Sequence, residues 1–129
     1  MVDRTMLGRA MEIHRQAVES TYEGACNIYE WENIMDPDTK ITSQKEVIVF
    51  EDTPCRVSFT RVVPAYKQGE GAKQEQQVRL FLAPEITVKP GSKIVVTQNQ
   101  VTETYKMSSL AAMYSSHQEI VLEAWEGWT

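Results

Sequence analysis

The chain has 129 residues, enough for one hydrophobic core but not for a core plus a separate catalytic subdomain. Thirteen basic against eighteen acidic side chains leave a net charge of −5, which disfavours a dedicated nucleic-acid binder because such proteins neutralise phosphates with basic surface. No apolar run approaches the length of a membrane span, and the first residues lack the basic-then-apolar layout of a signal peptide, so the expected site of synthesis is the cytosol.

Asp3 to Glu19 reads as the first element, a helix. At roughly 100° per residue, Met6, Leu7, Ala10, Met11, Ile13, His14, Ala17 and Val18 fall within an arc of about 160°. Asp3 suits the N-cap and Gly24 a stop beyond the last turn. Met6, Leu7, Met11 and His14 form the candidate interface of this helix, whose stripe must be buried either on its own barrel or on a partner. His14 has no companion acid or cysteine and is given no chemistry.

From Ala25 onward the signals are β. Ala25–Trp31 and Glu46–Glu51 form a hairpin around the turn cluster Met35-Asp36-Pro37-Asp38-Thr39, with Asp36 and Asp38 marking an acidic loop. That loop lacks the glycine and the terminal glutamate of a calcium loop. Asp52-Thr53-Pro54 should then turn the chain into a half-buried strand with Cys55, Val57 and Phe59 on the core face. Cys26 and Cys55 sit on different strands without further ligands, so reduced buried thiols are preferred over a disulfide or a zinc site.

Val63 to Gln77 is far longer and more polar than a hairpin needs. Gly69 and Gly71, with Glu70 between them, loosen it, and Lys67, Lys73 and four glutamines, Gln68 among them, keep it solvated. Pro64, Ala65 and Tyr66 are its only anchors, and these features mark it as a partner loop. Its two glycines do not make a phosphate cradle, since no buried parallel strand and helix flank them. Val78, Leu80 and Leu82 alternate in the next strand. Lys89-Pro90-Gly91-Ser92 is a tight turn between strand segments Ile86–Val88 and Lys93–Val96, and Asn99-Gln100 turns into Val101–Met107. Gln118–Trp125 is the closing strand. The fold class is mainly β: a small antiparallel barrel or sandwich with an N-terminal amphipathic helix and a long inter-strand loop. The domain organisation is a single domain over residues 1–129, with the helix at 3–19, the barrel at 25–126 and the projecting loop at 63–77.

No nucleophile, base and orienting group come together in the pattern, and His14 and His117 stand on separate elements, so an enzyme is not expected and no cofactor or metal is implied. Trp125 and Trp128 fit either a core anchor or a docking patch. Seven acids between Glu30 and Pro54, against Arg61, Lys67, Lys73 and Arg79 further on, segregate charge along the chain. This suits head-to-tail contact between copies, and equally an unevenly solvated surface.

The series Tyr22-Glu23-Gly24-Ala25-Cys26-Asn27-Ile28-Tyr29-Glu30, Thr53-Pro54-Cys55-Arg56-Val57-Ser58-Phe59, Phe81-Leu82-Ala83-Pro84-Glu85, Lys89-Pro90-Gly91-Ser92-Lys93-Ile94 and His117-Gln118-Glu119-Ile120-Val121-Leu122 resembles the head-completion or stopper proteins of the neck in tailed phages and prophages of Firmicutes. The resemblance implies a β-barrel assembling as a six- or twelve-fold homo-oligomeric ring between adaptor and tail-side neck proteins. That ring would close the channel after genome packaging and present the tail attachment surface. It would let double-stranded DNA pass without sequence-specific binding, and would have no membrane partner. It would reside in the host cytoplasm during assembly and then in the virion neck. The loop 63–77 would be the gating element, with the acidic loop around Asp36 as the competing candidate. A tail terminator or tail-completion ring protein is the alternative within the same class. A bacterial barrel-type module for single-stranded nucleic acid or oligosaccharide is disfavoured because Tyr29 and Trp31 lie amid acids.

Overall fold

A computed structural model describes residues 4–62 and 75–128. A helix, α1 (Arg4–Glu19), precedes seven strands: β1 (Gly24–Met35), β2 (Thr42–Val62), β3 (Glu75–Leu82), β4 (Lys93–Gln98), β5 (Val101–Met107), β6 (Ala112–Met113) and β7 (Gln118–Ala124). Neighbours run β3-β2-β1-β4-β5-β7-β6, all antiparallel, and β7 also pairs with β3. That last ladder, from Val78 opposite Leu122 to Leu82 opposite Gln118, closes the sheet on itself. The result is a ring of strands rather than a regular barrel, since β6 is a two-residue annex and β1 and β2 outrun the other strands.

The core follows from the period of two along each strand. Cys26 and Ile28 of β1, Cys55 and Val57 of β2, Leu80 and Leu82 of β3, Ile94 and Val96 of β4, Met107 of β5, and Ile120 and Leu122 of β7 point inward and are buried. Each fully buried aliphatic side chain contributes about 1.5–3 kcal/mol of transfer free energy. Gln118 is buried with them and stays satisfied because its amide donates to the carbonyls of Ala83 and Ile86, which pins the Ala83–Ile86 turn to β7.

Several sequence expectations change here. Asp52-Thr53-Pro54 is no turn: β2 runs through it as one 21-residue strand. The register against β1 slips between Cys26 and Ile28 and again between Ile28 and Tyr29, so β2 carries extra residues there. Asp52 takes a positive φ of 47°, and its freed N–H is captured by Asn27 Oδ1 at 2.8 Å. A side chain thus replaces the missing ladder bond, and the strand bulges instead of breaking. Gly24 does not stop α1, which ends at Glu19 with the Ser20 and Thr21 hydroxyls donating to the carbonyls of Ala17 and Val18. Gly24 opens β1 because a Cβ there would lie 3.1 Å from both Thr97 O and Gln98 Oε1. The Gln98 amide needs that space, since it exchanges two hydrogen bonds with the backbone of Val57, at 2.8 and 3.1 Å, and so links β4 to β2.

Ile86–Val88 is irregular chain and not a strand, although Ile86 and Val88 still pack on the core. The Pro90-Gly91 turn is as expected, with Gly91 at φ 87° and Ser92 N donating to Lys89 O. β3 begins at Glu75, three residues inside the span assigned to the long loop. Asp3, the proposed N-cap, lies outside the described residues.

Candidate assembly surfaces

The apolar stripe of α1 is largely uncovered. Met6 and Ile13 are each 66% exposed, Leu7 and Met11 about half, and His14 is exposed as well, so of the two covers that the sequence left open the chain's own barrel does not supply it. The helix is held at its C-terminal half. Arg15 reaches the Glu85 carboxylate with both terminal nitrogens, Nη2 to Oε2 being 2.6 Å, and its Nε donates to Glu19 at 2.8 Å. The Glu85 carboxyl is accordingly held below the usual carboxylate range, chiefly by the Arg15 hydrogen bonds.

Beneath that half of the helix lies a hollow of about 390 Å³ lined by His14, Ala17, Val18, Tyr22, Arg56, Phe81 and His117. The structure therefore brings together the two histidines that the sequence kept apart, and no spacing rule could have joined them. His117 stacks on Tyr114 at 4.9 Å and tilts against Phe81 at 5.7 Å, while Ser116 Oγ lies 2.9 Å from its Nδ1. Ser116 is buried and Glu119 Oε2 is 3.8 Å from His117 Nε2, too far for a hydrogen bond. Ser116 and the two aromatic neighbours thus fix the His117 ring, with Glu119 beyond hydrogen-bond reach of its other nitrogen. The Tyr22 hydroxyl is buried without a partner, and burial pushes its pKa up to about 12.

The acidic loop is a hairpin end. Asp36 N donates to Ile41 O at 3.0 Å, Asp36 Oδ1 accepts from Asp38 N at 2.9 Å, and Lys40 sits at φ 58°. Asp36 and Asp38 thus organise the turn, at the far end of a ribbon whose residues 31–45 are all exposed. Ile34, Met35 and Ile41 add apolar surface near its tip.

At the root of that ribbon the chain's last described residues fold back. Trp128 stacks on Trp31 at 5.2 Å and meets Trp125 edge-on at 4.7 Å. Its Nε1 donates to Glu46 at 3.2 Å, and Lys93, over the rings of Tyr29 and Trp125, pairs with the same carboxylate at 2.8 Å. Lys93 first, and then Trp128, hold Glu46 below the ordinary carboxylate range. These tryptophans are half-buried anchors of the C-terminal segment, neither core nor free patch.

Phe59, expected inside, is 55% exposed. It and Val101 stand at one mouth of the strand ring, in a cleft of about 230 Å³ with Val57, Val96, Gln98 and Tyr105. The inward face of β2 passes the end of the core at Val57. Cys26 and Cys55 are free thiols in the core, as expected, and the Cys26 thiol is raised by its hydrogen bond to Cys55 and by burial. The partner-loop residues Pro64, Tyr66, Lys67, Gln68, Gly69, Glu70, Gly71 and Lys73 lie outside the described residues. Among the described residues no helix is long and apolar enough to cross a membrane, and no group of three His, Cys, Asp or Glu side chains could hold a metal ion.

No protein-family model and no curated protein matches the chain. Among solved structures it is similar to the phage-like element PBSX protein xkdH from Bacillus subtilis, at 15% identity and a TM-score of 0.46, over 76% of this chain and 90% of that one.

Proposed function

We propose that this chain is a non-enzymatic structural protein of a tailed-phage or prophage virion: a ring-forming stopper at the head-to-tail interface that closes the DNA channel and offers the tail its attachment surface. The observation that carries the reading is a closed ring of strands bearing two appendages, α1 and the β1–β2 ribbon, whose large apolar side chains are exposed on the single chain. Covering side chains of this kind is worth about 1.5–3 kcal/mol each, so neighbouring subunits are their natural cover. Charge supports a polar, head-to-tail contact: from Glu30 to Glu46 the ribbon carries five acids against Lys40 and Lys45, while Arg56 and Arg61 lie toward the other end of β2. The turns that carry the resemblance to stoppers, Lys89–Ser92 and the Gln118-pinned Ala83–Ile86 segment, are structural features here too. Adaptor and tail-side neck proteins are the expected partners, with the loop between Val62 and Glu75 as the gating element.

The test is electron microscopy of particles from cells expressing the whole gene cluster with residues 63–74 deleted. DNA-filled heads that leak or stay tailless support the stopper. Full heads bearing tails of uncontrolled length point to a tail terminator, and normal infectious particles overturn the gating role.

A further inference from the structure

β4 accompanies β1 only over Ala25–Tyr29, and β3 accompanies β2 only from Arg56 to Val62. Among the described residues, therefore, Glu30–Met35 has no strand on the side away from β2, and Thr42–Glu51 has none on the side away from β1. What remains is a two-stranded ribbon in register from Glu30 opposite Val47 to Met35 opposite Thr42, open to water on both faces over residues 31–45. Such ribbons are marginal alone, and their free edges recruit further strands.

We propose that this ribbon joins copies of the chain: the outer edge of β1 in one copy pairs with the outer edge of β2 in the next. The proposal rests on the ring reading above. In a ring with rotational symmetry every ribbon points the same way, so β2 of one copy runs antiparallel to β1 of its neighbour. A head-to-tail contact of this kind continues the ladder round the ring and leaves no edge open.

Charge selects the same pairing. The ribbon segment of β1 carries Glu30 and Glu32 and that of β2, Thr42 to Val47, carries Lys45 and Glu46; Glu30 and Glu46 are engaged by Lys89 and Lys93 of the same chain, which leaves Glu32 and Lys45 to pair between copies. Glu32 and Lys45 stand opposite each other within the hairpin, hence on one face, and in the ring each Lys45 also meets Glu32 of the neighbouring β1. Pairing β1 with β1 would bring Glu32 against its own copy, and β2 with β2 would bring Lys45 against Lys45. Both are unfavourable.

Glu32→Cys and Lys45→Cys alleles, separately and co-expressed with the whole gene cluster, test this in purified particles oxidised to disulfides with copper–phenanthroline, since a disulfide spans Cα atoms only about 4.4–6.8 Å apart whereas like positions of successive copies would lie two strand spacings, about 10 Å, apart. Cys26 and Cys55 are buried, so the unsubstituted chain gives the background. Crosslinked dimer from the co-expressed pair, absent with either allele alone, is the expected result. Dimer from one allele alone means two-fold pairing and overturns the proposal. Particles that contain the protein but give no dimer also overturn it while leaving the ring reading intact, whereas absence of the protein from particles overturns that reading itself. Asn33→Cys with Gln44→Cys, a facing pair on the other side of the ribbon, repeats the test should either first variant fail to fold.

Discussion

Trp128 lies on Trp31 with ring centroids 5.2 Å apart, and this stack ties the end of the chain to the root of the β1–β2 ribbon. The two rings come from positions far apart in sequence, and the Glu46 carboxylate accepts from Trp128 while pairing with Lys93, so one carboxylate anchors both the C-terminal segment and β4.

Trp128→Ala removes the stack, the edge contact with Trp125 and one hydrogen bond, at an expected cost of about 1–2 kcal/mol. Urea titration measures the loss, and the near-ultraviolet circular dichroism band of the coupled indoles should collapse with it. Unchanged stability together with an unchanged band would remove the stack from the list of stabilising contacts.

Acid should release two clamps. Glu46 and Glu85 both have folded pKa values below the ordinary 4.5 of a glutamate, the first held mainly by Lys93 and the second by Arg15. For a carboxylate lowered in this way, the stabilisation is fully present above the unfolded value and is lost as pH falls through the folded one. Tryptophan fluorescence should therefore report loosening around Trp128 below about pH 4.5, and amide protection factors, which correct for the intrinsic pH dependence of exchange, should fall in α1 over the same range. In Glu85→Gln the protection factors of α1 should become indifferent to acid, and retention of the wild-type acid response would contradict the tether.

Neither thiol should react with a bulky disulfide reagent in the folded protein, and both should react in guanidinium. The hydrogen bond to Cys55 and burial keep Cys26 protonated, while Cys55, whose thiol the same bond pulls below its ordinary range, is shielded by complete burial. Replacing Cys26 by alanine leaves a small void and should cost about 1–2 kcal/mol. Rapid labelling of the native chain would show that the strand ring opens.

The Asn99-Gln100 loop offers a stabilising change. Both residues have positive φ, 52° and 66°, in a two-residue connection from Gln98 to Val101, the geometry in which Asn-Gly is the favoured pair. Gln100→Gly relieves a left-handed glutamine and should add about 1 kcal/mol, read as a higher urea midpoint at unchanged slope. A lower midpoint would mean that the glutamine side chain makes a contact worth more than the strain.

What could be read from the sequence was whatever rests on a local period or a turn dipeptide. The helix over Arg4–Glu19, the alternation of Leu80 and Leu82, the Pro90-Gly91 turn and the Asn99-Gln100 connection all follow from residues within a few places of one another. Asp52-Thr53-Pro54 misled because its turn chemistry is real, yet Asn27, on another strand, absorbs the consequence. Phe59 misled because alternation says which face a side chain takes and not where the core ends. The meeting of His14 with His117, of Trp31 with Trp128 and of Arg15 with Glu85 depends on closure of the sheet, which no local pattern encodes.

The position of β7 sets an order of events in making this protein. β3 and β5 each have an edge that only β7 satisfies, and β7 comes some three dozen residues after β3 has left the ribosome. Until then the nascent chain carries an open sheet with Leu80, Leu82 and Met107 facing solvent. Closure of the strand ring therefore waits on its last long strand, and in that interval the chain is most open to chaperones, to proteases and to mispairing with its sisters.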